Sequence, residues 1–244
     1  QTNSSVANAT TSLFQITSFA EGEHTWYLNC TDSANNSNTT ESRTILADRT
    51  APTTTDDASS GWINYTPYPS INLTRNDSNG VLNVSGINKT YYCINATANN
   101  CTPNTIYTIP ITPALEGNNT LRYYTTDLAG NNATIVNKSL LYDYTDPIIT
   151  INSPSTPANN SVFTDNNTIE FLLNGVSDNV DETMACSLYL DGSSISTQTV
   201  TEGSSKSYSY TVTTDGNHSW YFLCKDDAQN SAVSTTRYFN VSVA

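Results

Sequence analysis

Charge is what this sequence most lacks. Asp, Glu, Lys and Arg make up 13% of its 244 residues, about half the share usual in soluble globular proteins. Bases are scarcer still, 9 Lys and Arg against 22 acids, for a net charge of -13. With so few bases to cluster, binding to a nucleic-acid backbone is excluded. The acids are themselves too sparse for the dense carboxylate coat of a salt-adapted surface. No apolar run approaches the roughly 18 residues of a membrane-spanning helix, and no signal-peptide core is present. The segment is expected to be a mature or excised piece with any anchor outside it. Histidine occurs only at His24 and His218, and there is no Ser-His-Asp set, C-x-x-C pair, phosphate loop or H-E-x-x-H. The two histidines share one repeat position and read as structural residues beside a turn, so no enzyme is expected.

Polar uncharged residues fill the gap. Asn, Ser and Thr make up about two fifths of the chain, while 36% hydrophobic residues, 15 Tyr among them, still allow packed cores. The Asn residues are not scattered. Sequons of the form N-x-S/T start at Asn3, Asn8, Asn29, Asn35, Asn38, Asn64, Asn72, Asn76, Asn83, Asn88, Asn95, Asn100, Asn118, Asn132, Asn137, Asn159, Asn166, Asn217 and Asn240. That is 19 of 31 Asn, about twice the number that random pairing with this much Ser and Thr would give. Heavy N-glycosylation follows as the expectation, and hydrated sugar would supply the solubility that charge does not.

The sequence also repeats itself. GEHTWYLNCTDSANN at 22 to 36, GNNTLRYYTTDLAGN at 117 to 131 and GNHSWYFLCKDDAQN at 216 to 230 are three copies of one pattern, 95 and 99 residues apart. Pro-containing linkers, Asp48 to Pro52 and Asp143 to Pro147, follow the first two copies. They divide the chain into 1–50, 51–146 and 147–244. The last unit holds about seven short runs of period two separated by Asn, Asp, Gly and Ser turns, with no convincing helix. This predicts an all-β protein of tandem antiparallel β-sandwiches with Greek-key connections. Trp220, Phe222 and Cys224 alternate onto one face and are expected in the core, as are Trp26, Leu28 and Cys30, and Leu121, Tyr123 and Thr125. Residues 1–50 would be the C-terminal part of a domain, truncated or completed by a neighbour's strand, with Thr11 to Phe19 pairing to material from outside.

The chain has 5 cysteines, read in a secreted chain as bridges with one left over. Cys186 opens the third of the seven runs and Cys224 closes the sixth. These are antiparallel neighbours in such a sandwich, so a Cys186–Cys224 bridge is natural. Cys93, taken as the counterpart of Cys186, faces Thr125 rather than a cysteine in this register, leaving Cys101 as its partner. Cys30 is left unpaired or intermolecular. Reduced, buried cysteines are the alternative.

The motif G-x-H-[ST]-W-Y-x-x-C-x-D-x-A-x-N, followed by a strand and a D-x-T-x-P linker, resembles tandem immunoglobulin-like repeats of prokaryotic cell-surface glycoproteins, most of all archaeal surface and S-layer-associated ones. It is matched at Gly22, His24, Trp26, Cys30, Asp32, Ala34 and Asn36 and again at Gly216, His218, Trp220, Cys224, Asp226, Ala228 and Asn230. The middle copy lacks the His, Trp and Cys. The resemblance implies a structural coat, stalk, filament or adhesin.

No cofactor is required on this reading, but calcium is a candidate ligand. Asp143 and Asp146 in the linker, Asp178, Asp181 and Glu182 after the second run, and Asp226 and Asp227 after the sixth should converge at the pole facing the preceding domain, and a hard cation takes such oxygen ligands. The competing reading is that Asp32, Asp127 and Asp226 close Asx turns while the other acids are solvated. The second unit is read as lacking acids in the corresponding loop, so no site is expected at the first joint. Partners are expected to be further copies in a lattice or filament, or neighbouring surface proteins. The alternative to a structural role is an adhesin or carbohydrate-binding array with Trp62, Tyr65 and Tyr68 as an aromatic platform, or a spacer in a larger secreted protein.

Overall fold

The computed structural model describes residues 6–7, 10–78, 84–96, 101–152, 156–164 and 168–242, and every regular element among them is a strand. In the first unit these are β1 (Gly22–Trp26), β2 (Asn29–Thr31), β3 (Ser37–Thr39) and β4 (Arg43–Ala47). In the second they are β5 (Thr53–Asp56), β6 (Trp62–Ile63), β7 (Leu73–Asn76), β8 (Ile87–Asn95), β9 (Thr105–Ile106), β10 (Gly117–Asp127) and β11 (Val136–Tyr142). The third contains β12 (Ile148–Thr150), β13 (Ser161–Phe163), β14 (Thr168–Leu173), β15 (Gly175–Ser177) and β16 (Thr183–Leu190). It continues through β17 (Ser193–Thr201), β18 (Lys206–Thr211), β19 (Gly216–Lys225), β20 (Ser231–Val233) and β21 (Arg237–Val241).

Two of the units are immunoglobulin-like β-sandwiches. In the third, one sheet runs β13-β21-β19-β16-β17, and the pairs β12-β15 and β14-β18 form the facing layer. In the second, β6-β11-β10-β8-β9 faces β5-β7. The pairing is antiparallel except at one edge of each large sheet, where β6 runs parallel to β11 and β13 parallel to β21. No strand pairing among the described residues passes from one unit to the next.

Alternation along the long strands builds the cores. His218, Trp220, Phe222 and Cys224 of β19 are buried on one face, with Phe171 of β14 edge-on to Trp220 at 5.4 Å. In the second unit Leu121, Tyr123 and Thr125 of β10 take the same inward positions. Burying a large apolar side chain contributes roughly 1.5–3 kcal/mol, so these positions dominate each domain.

The first unit departs from the sequence reading. Its register repeats that of the third, with Gly22 opposite Ala47 and Trp26 opposite Arg43, as Gly216 is opposite Val241 and Trp220 opposite Arg237. Yet Trp26 is 42% exposed and Leu28 38%, where Trp220 and Phe222 are fully buried. Cys30 is exposed and free. The described residues of this unit supply no facing sheet, so the inward face has nothing to pack against. Residues 11 to 19 form no strand within this chain; their expected pairing is with material from outside it. Instead Phe14, Ile16 and Phe19 line an apolar groove with Trp26, Leu28 and Ile45.

Disulfides join Cys186 to Cys224 and Cys93 to Cys101. The first links directly opposed residues on neighbouring strands of one sheet. In the second unit the residues so opposed are Thr90 and Thr125. Thr90 is therefore the counterpart of Cys186, and Cys93 lies three residues further on, opposite Arg122. A buried hydroxyl cluster occupies the place of the bridge: Thr125 Oγ1 is 2.7 Å from Thr90 Oγ1 and accepts from Thr54 Oγ1 at 2.6 Å. Replacing Thr125 by Val orphans two buried hydroxyls and should cost about 1–3 kcal/mol in urea unfolding. The double substitution Thr90→Cys and Thr125→Cys should form a bond, seen as loss of titratable thiol, and raise stability by about 2–4 kcal/mol.

Candidate functional site at the domain joints

Each motif copy ends in D-x-A-x-N, and the structure shows why. Asp226 Oδ1 accepts the Asn230 backbone N–H at 2.8 Å and its Oδ2 accepts Asn230 Nδ2–H at 2.8 Å. Asp127 with Asn131 and Asp32 with Asn36 make the same pair of bonds. The residue before each of these Asn has positive φ: 66° at Asn35, 95° at Gly130 and 74° at Gln229. This left-handed step favours Asn or Gly, and Gln229 is held in it by the bonds on either side.

These corners grip the linkers. The second Nδ2 hydrogen of Asn131 goes to the Asp48 carbonyl at 3.1 Å, and that of Asn230 to the Asp143 carbonyl at 2.9 Å. From the upstream side an acid just before the motif glycine reaches across. Glu21 Oε1 accepts the Arg49 N–H at 2.9 Å, and Glu116 Oε1 accepts the Tyr144 N–H at 2.8 Å and the Thr145 hydroxyl at 3.0 Å. Glu116 also accepts from Asn179 Nδ2, on the far side of the second joint. Both joints are therefore built to one plan.

A carboxylate trio sits at each. Asp143, Asp178 and Asp226 bring one oxygen apiece within 4.8 Å of one another, and so do Asp48, Asp77 and Asp127. Asp143 is fully buried; its Oδ1 accepts the Thr145 N–H at 3.1 Å, while its Oδ2 accepts no hydrogen bond. Asp178 Oδ1 accepts from the N–H groups of Val180 and Asp181. Its Oδ2, like Asp77 Oδ1, is buried and unpartnered. Burial, followed by the charges of Asp178, Asp226 and Glu116, pushes the Asp143 carboxyl up to about 7 against the opposing Thr145 bond. Burial likewise raises Asp226, partly offset by the bonds from Asn230, and raises Asp77.

Of the seven acids expected at the second joint, three form the trio. Asp181 is buried and accepts the Asp227 N–H at 2.9 Å, and Asp146 accepts the Ser231 N–H at 3.2 Å. Asp227 and Glu182 are exposed. The first joint corrects the sequence reading, because Asp77 directly follows β7 just as Asp178 follows β15. Glu116 was not anticipated either; the signal for it was the acid that precedes the motif glycine at Glu21, Glu116 and Asp215.

The histidines hold turns. His218 Nε2 lies 2.9 Å from the Thr214 carbonyl and His24 Nε2 2.8 Å from that of Ala20. Asn119, at the same repeat position, donates to Leu115 O at 2.9 Å. His218 Nδ1 also lies 2.7 Å from Asp191 Oδ2. Of the sequons within the described residues, Asn29, Asn35, Asn38, Asn64, Asn72, Asn76, Asn88, Asn118, Asn132, Asn137, Asn159 and Asn217 are exposed. Asn95 and Asn240 are half-buried. The buried Asn119 and Asn230 start no sequon. Asn3, Asn8, Asn83, Asn100 and Asn166 lie outside the described residues. The aromatic platform does not form. Tyr68 is buried with its ring 3.9 Å from that of Tyr142, Trp62 is half-buried, and only Tyr65 is exposed.

No family model matches the chain, and no curated relative does. Solved structures do show similarity. The fibronectin(III)-like modules of Clostridium thermocellum CbhA are 19% identical, covering 78% of this chain and 94% of that one with a TM-score of 0.39. The D00-D0 domain of intimin is 12% identical, covering 77% and 99%, at 0.33. The dimeric latent PorU of Porphyromonas gingivalis is 12% identical, covering 93% and 24%, at 0.25. Superpositions this loose carry no functional information, and the sandwich assignment stands on the strand pairing itself.

Substituting Asn230 by Ala should lower stability by about 1.5–3 kcal/mol, because bonds to a charged group are lost. Asn36→Ala, whose corner holds no linker among the described residues, should leave joint unfolding unchanged in a thermal scan. A second expectation concerns pH. Burial works to lower the His218 pKa, but Asp191 and the Thr214 carbonyl outweigh it and the net shift is upward. The imidazolium's contribution is complete below the ordinary value of about 6.5 and fades as pH rises through the higher native value. Stability measured across that window should therefore decline in the wild type, and His218→Asn, which mimics Asn119, should flatten the decline.

Proposed function

We propose that the chain is a non-enzymatic, extracellular structural segment: tandem sandwiches that extend and space a cell-surface layer, stalk or filament beneath a coat of N-linked sugar. The observation that supports this most is the repeated joint. Two successive linkers are held by the same three contacts, an upstream Glu, a downstream Asn and an Asp trio. A chain whose domains meet through one reproduced set of bonds has a defined step from unit to unit, as an extended spacer or lattice element requires. Two disulfides suit an oxidising exterior. The described sequons avoid the cores, which favours modification. The adhesin alternative loses its platform with the burial of Tyr68. Self-association and neighbouring surface proteins remain the partners this reading calls for.

Two measurements test it. Enzymatic removal of N-glycans from the native protein should lower its mass; a mass unchanged by that treatment would overturn the sugar coat. Electron micrographs of native material should show rods, filaments or a sheet. Compact isolated particles would overturn the structural role.

A further inference from the structure

The two carboxylate trios carry an inference beyond architecture. We propose that each joint binds one divalent cation of the calcium type, at Asp48, Asp77 and Asp127 in the first joint and at Asp143, Asp178 and Asp226 in the second.

Proximity of acids alone would not carry this; unsatisfied buried oxygen does. Asp143 is completely buried, and Oδ2 of its carboxyl is unpartnered. So is the buried Oδ2 of Asp178. A buried polar atom without a partner costs about 1–3 kcal/mol, more when charged, and a fold that stacks two of them beside Asp226 needs something to receive their lone pairs. Among the described residues no ion pair does so: Arg43–Glu41, Lys138–Asp56 and His218–Asp191 all lie elsewhere. The first joint gathers Asp48, Asp77 and Asp127 in the same way; there Asp48 and Asp127 accept hydrogen bonds at both oxygens, and the unpartnered buried atom is Oδ1 of the half-buried Asp77. In both trios the first Asp belongs to the linker, the second directly follows a short strand of the facing layer, β7 or β15, and the third begins the Asx corner.

The ligand chemistry selects the ion. Both trios are all oxygen, with no His or thiolate to favour zinc. Calcium binds oxygen at about 2.3–2.6 Å and tolerates irregular shells, so oxygens on opposite sides of it stand about 5 Å apart. In each trio the three oxygens lie within 4.8 Å of one another, close enough to share one ion. Magnesium demands near-ideal octahedral geometry and gives up its waters reluctantly, so carboxylates converging from three separate segments suit calcium better. In the second joint Asp143 comes from the linker while Asp178 and Asp226 come from the downstream sandwich, so the ion would pin the linker to the pole it enters.

The test uses the full 244-residue chain, stripped with a chelator and titrated with calcium chloride by calorimetry, with a thermal scan before and after. Two ions per chain are expected, with a rise in unfolding temperature of roughly 5 °C or more at saturating calcium. Asp178→Asn and Asp77→Asn, at half-buried positions, should each leave one ion, and the pair together none. Asp146→Asn, outside both trios, should leave two. Absence of calcium binding and of any thermal shift in the wild type would overturn the proposal, as would binding undiminished in the double variant. An equal shift with magnesium at the same concentration would overturn the choice of calcium.

Discussion

The rest of the structure depends on one hydrogen-bonded corner. An Asp accepts two bonds from an Asn four residues later, and that Asn spends its remaining amide hydrogen on the carbonyl of the preceding linker. Local turn chemistry is thereby converted into an inter-domain contact. The same Asp is one member of the buried trio. Turn, linker grip and carboxylate cluster are three uses of one residue, which is why the D-x-A-x-N ending is kept in the middle copy even where the Trp, His and Cys are not.

Keeping the corner while changing the core behind it shows which constraints are separable. Where the third unit ties neighbouring strands by Cys186 and Cys224, the second uses three threonine hydroxyls, and where the third has His218 the second has Asn119. In each case the geometric task survives and its chemistry is exchanged: one crosslink between opposed strands, one donor closing the turn before the long strand. The disulfide of the second unit, Cys93 to Cys101, serves a different purpose, tying β8 to the segment that enters β9.

Much of this could be read in the sequence because repeats and period-two alternation are local signals. The inward positions of Trp220, Phe222 and Cys224 follow from strand alternation alone. So does the pairing of Cys186 with Cys224, once the strand order is assumed. What escaped depends on contacts that alternation does not encode. The exposure of Trp26 reflects a missing facing sheet, not its own strand. Thr90, rather than Cys93, stands opposite the Thr125 position because residue type misled where register decides. Asp77 is a single acid directly after β7, and nothing in the residue pattern marks where that short strand ends. Glu116 lies in the upstream unit and acts across the joint, a contact that no pattern within one domain encodes.

One half-buried contact links the proposed sugar to the joint. Asn64 begins a sequon, yet its Nδ2 also donates to the Ala228 carbonyl, at 3.0 Å, inside the Asx corner of the next unit. A glycosylated amide keeps one of its two hydrogens, so the bond and the sugar are compatible. The first sugar residue would then be anchored at the hinge itself, a wedge on one side of the articulation. With sugar on that amide, bending toward that side would be blocked and bending away left free, giving the two sandwiches a preferred direction of curvature.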